Sequence, residues 1–209
     1  MLQRMDEARK IREFWFGKSP LAADQLPRRM DLWFGSKNPE LRKHVDNTIR
    51  TRFAPLVERA LAGDLEQWAD GPRRRLSLIL LLDQFPRNIH RGTPRAFEGD
   101  EQALALSLSG MQSVADAALN PVERIFFYMP LQHAEVLEVQ DESVAAYKRL
   151  LGEAPEVLRD IFKGSLNFAE RHREVIRRFG RFPHRNAVLG RASTPEEIAY
   201  LKEGGDTFS

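Results

Sequence analysis

The sequence contains no cysteine. That removes disulfides, thiolate zinc sites, iron–sulfur clusters and a cysteine nucleophile together. It has no apolar run near the ~20 residues that cross a bilayer as a helix. The run Leu78 to Leu82 has the length of a core segment. Neither sign of charge dominates: 32 lysines and arginines face 30 aspartates and glutamates, a formal net charge of +2. Bulk electrostatics therefore point to neither nucleic acid nor membrane. There is no hairpin signal, low-complexity segment, Gly-rich phosphate loop, Gly-x-Ser-x-Gly elbow or His-x-x-x-His pair. A metal site and a bound cofactor are accordingly not expected. Met1 to Lys10 is too charged for a secretory signal, which makes the cytoplasm the expected location.

What is present is a 209-residue chain, 42% hydrophobic and 30% charged, suited to a single domain over residues 1–209. A chain of this size buries about 70% of its unfolded surface. Nearly every segment reads helical, and the punctuation is helix chemistry. A first helix ends at Gly17, and a loop with Pro20 and Pro27 follows. Asn38-Pro39 is an N-cap with a first-turn proline, opening a helix that Pro55 is expected to kink or split. Pro72 opens a helix through Asp83 that is apolar on most sides, as befits the middle of a bundle, and Pro86 is expected to end it. Thr93-Pro94 starts the next stretch, re-initiated at Asp100. Asn120-Pro121-Val122-Glu123 has the form of a capping box. Pro130 is expected to split Val122–Tyr128 from a long helix over Leu131–Leu151. Pro155 opens a helix to Phe179, and Thr194-Pro195 caps the last one. The expected fold is all-α, a bundle or array of about nine to ten helices.

Four blocks carry a resemblance: Phe14-Trp15-Phe16-Gly17, Leu81 to Asn88, Tyr128 to Glu135, and Arg178 to Arg191. Together they resemble an uncharacterised bacterial family, domain of unknown function 924, from about residue 11 to the C-terminus. The resemblance implies an all-α fold of the tetratricopeptide-like superfamily and brings no established activity.

Function is expected in two related loops. Arg178 to Arg191 packs four arginines, His184 and Asn186 around Gly180, Pro183 and Gly190. A hundred residues earlier, Phe85-Pro86-Arg87-Asn88 has the same Phe-Pro, Arg, Asn order. Phe-Pro implies extended backbone ahead of each arginine, which then leaves a rigid corner. Two such corners could clamp a carboxylate or phosphate; alternatively each asparagine caps its own loop and each arginine ties helices together. Of the 32 basic residues, 25 are arginine, and Arg171 to Arg191 holds seven arginines against Glu174 alone. A guanidinium is a planar fork for an anion and stays charged when half-buried.

Histidines supply the rest. On a helix from Leu131, His133, Leu137, Gln140 and Val144 would share one face, within an arc of about 60°. On the next, Ile161, Ser165, Phe168, His172 and Ile176 share another. Two helices would thus aim His133 and His172 inward, either as satisfied core histidines or at a shared cleft. Asp83, on an apolar face, needs a partner to remain ionised, and is read as a structural brace for an arginine. Glu135 is read as first-turn charge or as a partner for the basic loop. His184, between proline and arginine, should be neutral near pH 7. The tryptophans Trp15, Trp33 and Trp68 read as core.

The leading expectation is a cleft for an anionic small molecule or acidic peptide group, lined by Arg87, Asn88, His133, Glu135, His172, Arg181, His184, Arg185 and Asn186. A second is a metal-independent acid–base enzyme, hydrolase-like, with His133, His172 or His184 as its catalytic candidates. A third is RNA binding through residues 171–191 and the exposed faces of Phe179 or Phe182. No membrane partner is expected, and the sequence sets no oligomeric state.

Overall fold

Helix-start chemistry sets most of the observed boundaries. The computed structural model describes residues 2–17, 26–35 and 37–208, and among these it holds ten α-helical segments and no strand. They are α1 (Leu2–Phe16), α2 (Leu26–Phe34), α3 (Pro39–Leu61), α4 (Pro72–Ile79), α5 (Phe85–Ile89), α6 (Asp100–Gln112), α7 (Pro121–His133), α8 (Leu137–Gly152), α9 (Arg159–Phe179) and α10 (Pro195–Lys202). Asn38 caps α3 by accepting the Glu40 and Leu41 N–H groups. Asn120 with Glu123, and Thr194 with Glu197, form complete capping boxes on α7 and α10. Each satisfies amides that helix geometry leaves unpaired. The loop read around Pro20 lies outside the described residues, and Pro27 falls within α2.

Three prolines leave their helices unbroken, where the sequence expects Pro55 to kink or split one, Pro130 to split one and Pro86 to end one. Pro55 sits inside α3 without ending it, and Pro130 sits inside α7 without splitting it. An interior proline costs about 3 kcal/mol through its lost hydrogen bond. Burial offsets that: from Val122 to Gln132 every α7 residue except Arg124 is buried. Tertiary packing overrides local preference here.

Pro86 does not stop the central helix either. The chain passes from α4 through a π-helical turn, Leu80–Gln84, straight into α5. The residue four after Leu82 is Pro86, which has no N–H for the Leu82 carbonyl. In the widened turn the Phe85 N–H reaches back to Leu80. Gly99 packs directly against the Leu82 carbonyl: a Cβ at position 99 would stand 2.3 Å from its oxygen. Phe85 is therefore helical (φ −68°, ψ −37°), and the first Phe-Pro corner is a wide helical turn instead of extended chain.

The principal core runs through this central segment. Phe85 packs on Trp15 and Phe53, and Phe126 on Trp15 and Trp33. Trp15, Trp33 and Trp68 are all buried in it, as the sequence suggests. A second, small cluster of Val175, Ile176 and Phe182 joins the end of α9 to the loop that follows.

Candidate functional site

A cleft of about 930 Å³ opens beside the central helix and is walled by α2, α5, α7, α9 and the segments on either side of α10. Its position follows from where α7 ends. Because Pro130 does not split it, α7 runs to His133, and Ala134 turns extended (φ −73°, ψ 137°). Leu137 starts α8, so His133 and Gln140 belong to different helices and the single shared face expected for them does not exist. Gln140 still meets His133's helix, by donating its Nε2 to the carbonyls of Leu131, Gln132 and Ala134. A buried side-chain amide thus closes the orphan end of α7 and fixes its last residue. Of the stripe expected on α9, Ile161, Ser165, Phe168 and His172 line the cleft, while Ile176 is buried in the second apolar cluster.

At the polar end stands a charge cluster. Asp83, fully buried in the π-turn, accepts from His133 Nδ1 at 2.6 Å, from Gln84 Nε2 at 2.5 Å, and lies 3.2 Å from Arg87 Nη1. Burial alone would raise its carboxyl, but Arg87, His133 and these hydrogen bonds outweigh it and hold Asp83 well below the usual carboxylate range. The ionised carboxylate accepts the Nδ1 proton, which leaves Nε2 of His133 with its lone pair. That Nε2 makes no hydrogen bond among the described residues, and His133 lines the cleft. Burial, then Arg87, lowers His133 from its ordinary value, so the ring is neutral at pH 7.

Arg87 is fully engaged, bidentate on Asp100 at 2.8 and 2.9 Å and bonded to the Asp83 carbonyl at 2.6 Å. Arg185 arrives from the other loop. Gly180 (φ 68°) ends α9 in the left-handed conformation, Phe182 is extended, and a single 3₁₀ turn, Pro183–Arg185, aims the arginine inward. Its guanidinium lies between the rings of Phe182 and Phe97, 4.4 and 4.8 Å from their centroids. Nη1 donates to the His133 carbonyl at 3.1 Å and lies 3.6 Å from Asp100. Among the described residues Nε is sealed without a partner and Nη2 makes no hydrogen bond. Burial first, then Arg87, lowers Arg185 to about 10, where it still carries its charge at neutral pH. The two Phe-Pro-x-x-Asn-like corners therefore do converge, on Asp100 and Phe97. Neither of those meeting points was legible, since Asp100 reads as a helix restart and Phe97 as part of the helical stretch before it.

His172 and His184 complete this end. His172 Nδ1 bonds the Phe168 carbonyl at 2.7 Å, and its ring stacks on Phe208 at 3.6 Å. Burial, then His133, holds it well below the ordinary histidine range. Burial, with Arg185, lowers His184 to about 4, in line with the neutral ring expected there. Phe208 had no sequence signal at all. Asn88 also lines the cleft, its amide donating to the Gln84 carbonyl at 2.9 Å.

Three expected ligand residues stand behind the wall instead of in it. Glu135 accepts the Phe182 N–H at 2.7 Å and both Arg191 terminal nitrogens, at 2.6 and 3.0 Å. Asn186 is buried, donating to Ser193 and Glu197 while accepting from Arg191. Arg181 is spent on Glu197, at 2.6 and 2.8 Å, and on the Ala192 carbonyl. Together they pin the loop to the α7–α8 connection and to α10. Asp83 is the brace the sequence suggested, for Arg87, but with His133 as an unforeseen second partner.

The basic segment is neutralised in space. Each of its seven arginines meets a carboxylate: Arg171 with Asp206, Arg173 with Asp141, Arg177 with Glu174, Arg178 with Glu196, Arg181 with Glu197, Arg185 with Asp100, Arg191 with Glu135. Phe182 is fully buried and Phe179 packs on Tyr200. The exposed aromatics that an RNA-stacking strip requires are not found there. No three-residue group of His, Asp or Glu among the described residues is arranged to hold a metal ion.

Fold and site together define a class: a wholly helical protein, among the described residues, with an arginine- and histidine-walled cleft beside a π-turn. The chain belongs to the family described as bacterial protein of unknown function (DUF924), whose model matches residues 11–205. It is similar to a solved structure, the protein of unknown function ATU0120 from Agrobacterium tumefaciens. The two share 34% identity over 96% of this chain and 99% of that one, with a TM-score of 0.78. No curated protein matches the chain. No helix of the described residues is long and apolar enough to cross a membrane.

Proposed function

We propose that the protein binds an anionic small molecule, or the acidic group of a peptide, in the cleft at Arg185. One observation carries this reading: Arg185 is a buried cation on the cleft wall whose Nη2 makes no hydrogen bond among the described residues. A buried charge left short of hydrogen bonds is expensive, and an anion in the cleft would supply the acceptor that Nη2 lacks. The remaining walls, with Trp33, Phe34, Met129 and Phe168, suit an apolar body attached to that anion. The test is a thermal-shift screen of carboxylates, phosphates and acidic peptides. A ligand at a hundred times its Kd adds about 2.7 kcal/mol of stability. Arg185→Ala is expected to remain folded and to lose that shift. An undiminished shift in the variant would remove Arg185 from the site.

A further inference from the structure

Anion binding alone does not account for Asp83 and His133. A carboxylate buried in a π-turn, braced by Arg87 and bonded to an imidazole at 2.6 Å, is a costly construction that an apolar core would not need. π-turns of this kind recur at functional sites. The arrangement does one specific thing. It fixes the Nδ1–H tautomer and presents the Nε2 lone pair of His133 to the cleft. Arg185 is tied to the carbonyl of that same residue at 3.1 Å, so the base and the unfilled guanidinium share one anchor.

We propose that His133, oriented by Asp83, is the general base of this cleft. It takes a proton from the carbon beside the carbonyl of a 2-oxo carboxylic acid whose carboxylate is held by Arg185. The C–H bond breaks and its proton bonds to Nε2. The electron pair moves onto the neighbouring carbonyl oxygen, giving an enolate whose added charge faces the guanidinium. Return of a proton from the imidazolium restores the acid, so the elementary step needs no oxidant, reductant or second substrate. An oxo acid is the fitting class because its carbonyl acidifies that C–H, while the apolar walls suit an alkyl or aromatic remainder. Asp83 is a positioning residue: it touches the base and is buried away from the cleft.

This inference rests on the carboxylate reading of Arg185, and the experiment separates the two. Two probes are used, 4-methylpentanoate and 4-methyl-2-oxopentanoate. Binding is read by thermal shift, and loss of the C3 protons in D₂O by proton NMR. Both acids are expected to bind, and the oxo acid to exchange its C3 protons well above the buffer rate. His133→Gln should lower the exchange rate by about 10²–10⁴-fold while 4-methylpentanoate still binds. Asp83→Asn replaces the acceptor by an amide that can donate to Nδ1, moving the ring proton to Nε2, and should sharply lower exchange without abolishing binding.

The pH profile adds a readout that a merely structural role would not move. The charged and titratable groups around His133 are Asp83 and Arg87 on the central helix, Asp100 on α6, His172 on α9, and His184 and Arg185 on the loop. The exchange rate should rise as His133 loses its proton and be flat by neutral pH. Any residual exchange in Asp83→Asn should have its acid limb moved to lower pH, since the carboxylate that favours the imidazolium is gone. His44→Gln, on the exposed face of α3, should leave everything unchanged. Binding without exchange, or exchange that survives His133→Gln, overturns the general base. If neither acid binds, the carboxylate clamp falls and the proposal with it.

Discussion

Arg185 concentrates the tension between stability and function. Its charge is buried between two phenylalanines with part of its hydrogen-bonding capacity idle. Removing one partner of a buried ion pair is destabilising when it strands the other, but Asp100 keeps its bidentate bond to Arg87 when Arg185 is lost. Arg185→Met is thus expected to melt no lower than the parent while binding no carboxylate, which differential scanning calorimetry with and without ligand would check. A large fall in Tm would make Arg185 a structural brace. The histidines impose a pH dependence. His184 is lowered to about 4 from an ordinary 6.5, and His172 and His133 shift the same way. Between those pH values the unfolded chain binds a proton at His184 that the folded protein refuses, so protonation favours unfolding. Asp83 adds loss of stability at still lower pH, once its carboxylate must be protonated. Tm should fall from pH 7 to pH 5, before ordinary carboxylates titrate, and His184→Gln should flatten that slope. A Tm independent of pH over this range would contradict the buried-neutral reading of these rings.

At the scale of elements, the site depends on one anomalous helical turn. The Leu80–Gln84 π-turn exists beside Pro86 and under Gly99, and it carries Asp83. Gly99→Ala would drive a methyl group into the Leu82 carbonyl, backbone that cannot swing away. Overpacking of this kind costs on the order of 1–3 kcal/mol, readable as a lowered urea midpoint. Unaltered stability would mean the two segments separate freely. The same turn shows what sequence reading can and cannot reach. Caps at Asn38, Asn120 and Thr194 were legible because each is a local interaction within four residues. The prolines misled, because whether Pro86 or Pro130 ends a helix depends on packing from elsewhere. That error moved His133 onto the wrong helix. The cleft residues Arg87, Asn88, His133, His172, His184 and Arg185 were still recognisable as candidates by their chemistry. Asp100, Phe97 and Phe208 were not, since nothing local distinguishes them.

For the molecule as a whole, linear charge proved a poor guide to surface charge. A segment that counts +6 along the chain folds so that every one of its arginines meets a carboxylate, several from far upstream or downstream. Even so, pairing is not equivalent to packing. The segment after α9 contributes Phe182 and Phe208 to a small apolar cluster and is otherwise held by Glu135–Arg191, Arg181–Glu197 and Arg171–Asp206. Half-exposed ion pairs weaken as salt is added, whereas apolar burial does not. This wall should therefore open as a unit of its own, ahead of global unfolding. Native-state hydrogen exchange is expected to find amides 182–202 less protected than those of α4 and α7, and the gap should widen in 1 M sodium chloride. Uniform protection across both regions would show a single cooperative block. If the wall does open separately, the cleft has a hinged side, and a ligand could enter and leave while the aromatic core stays folded.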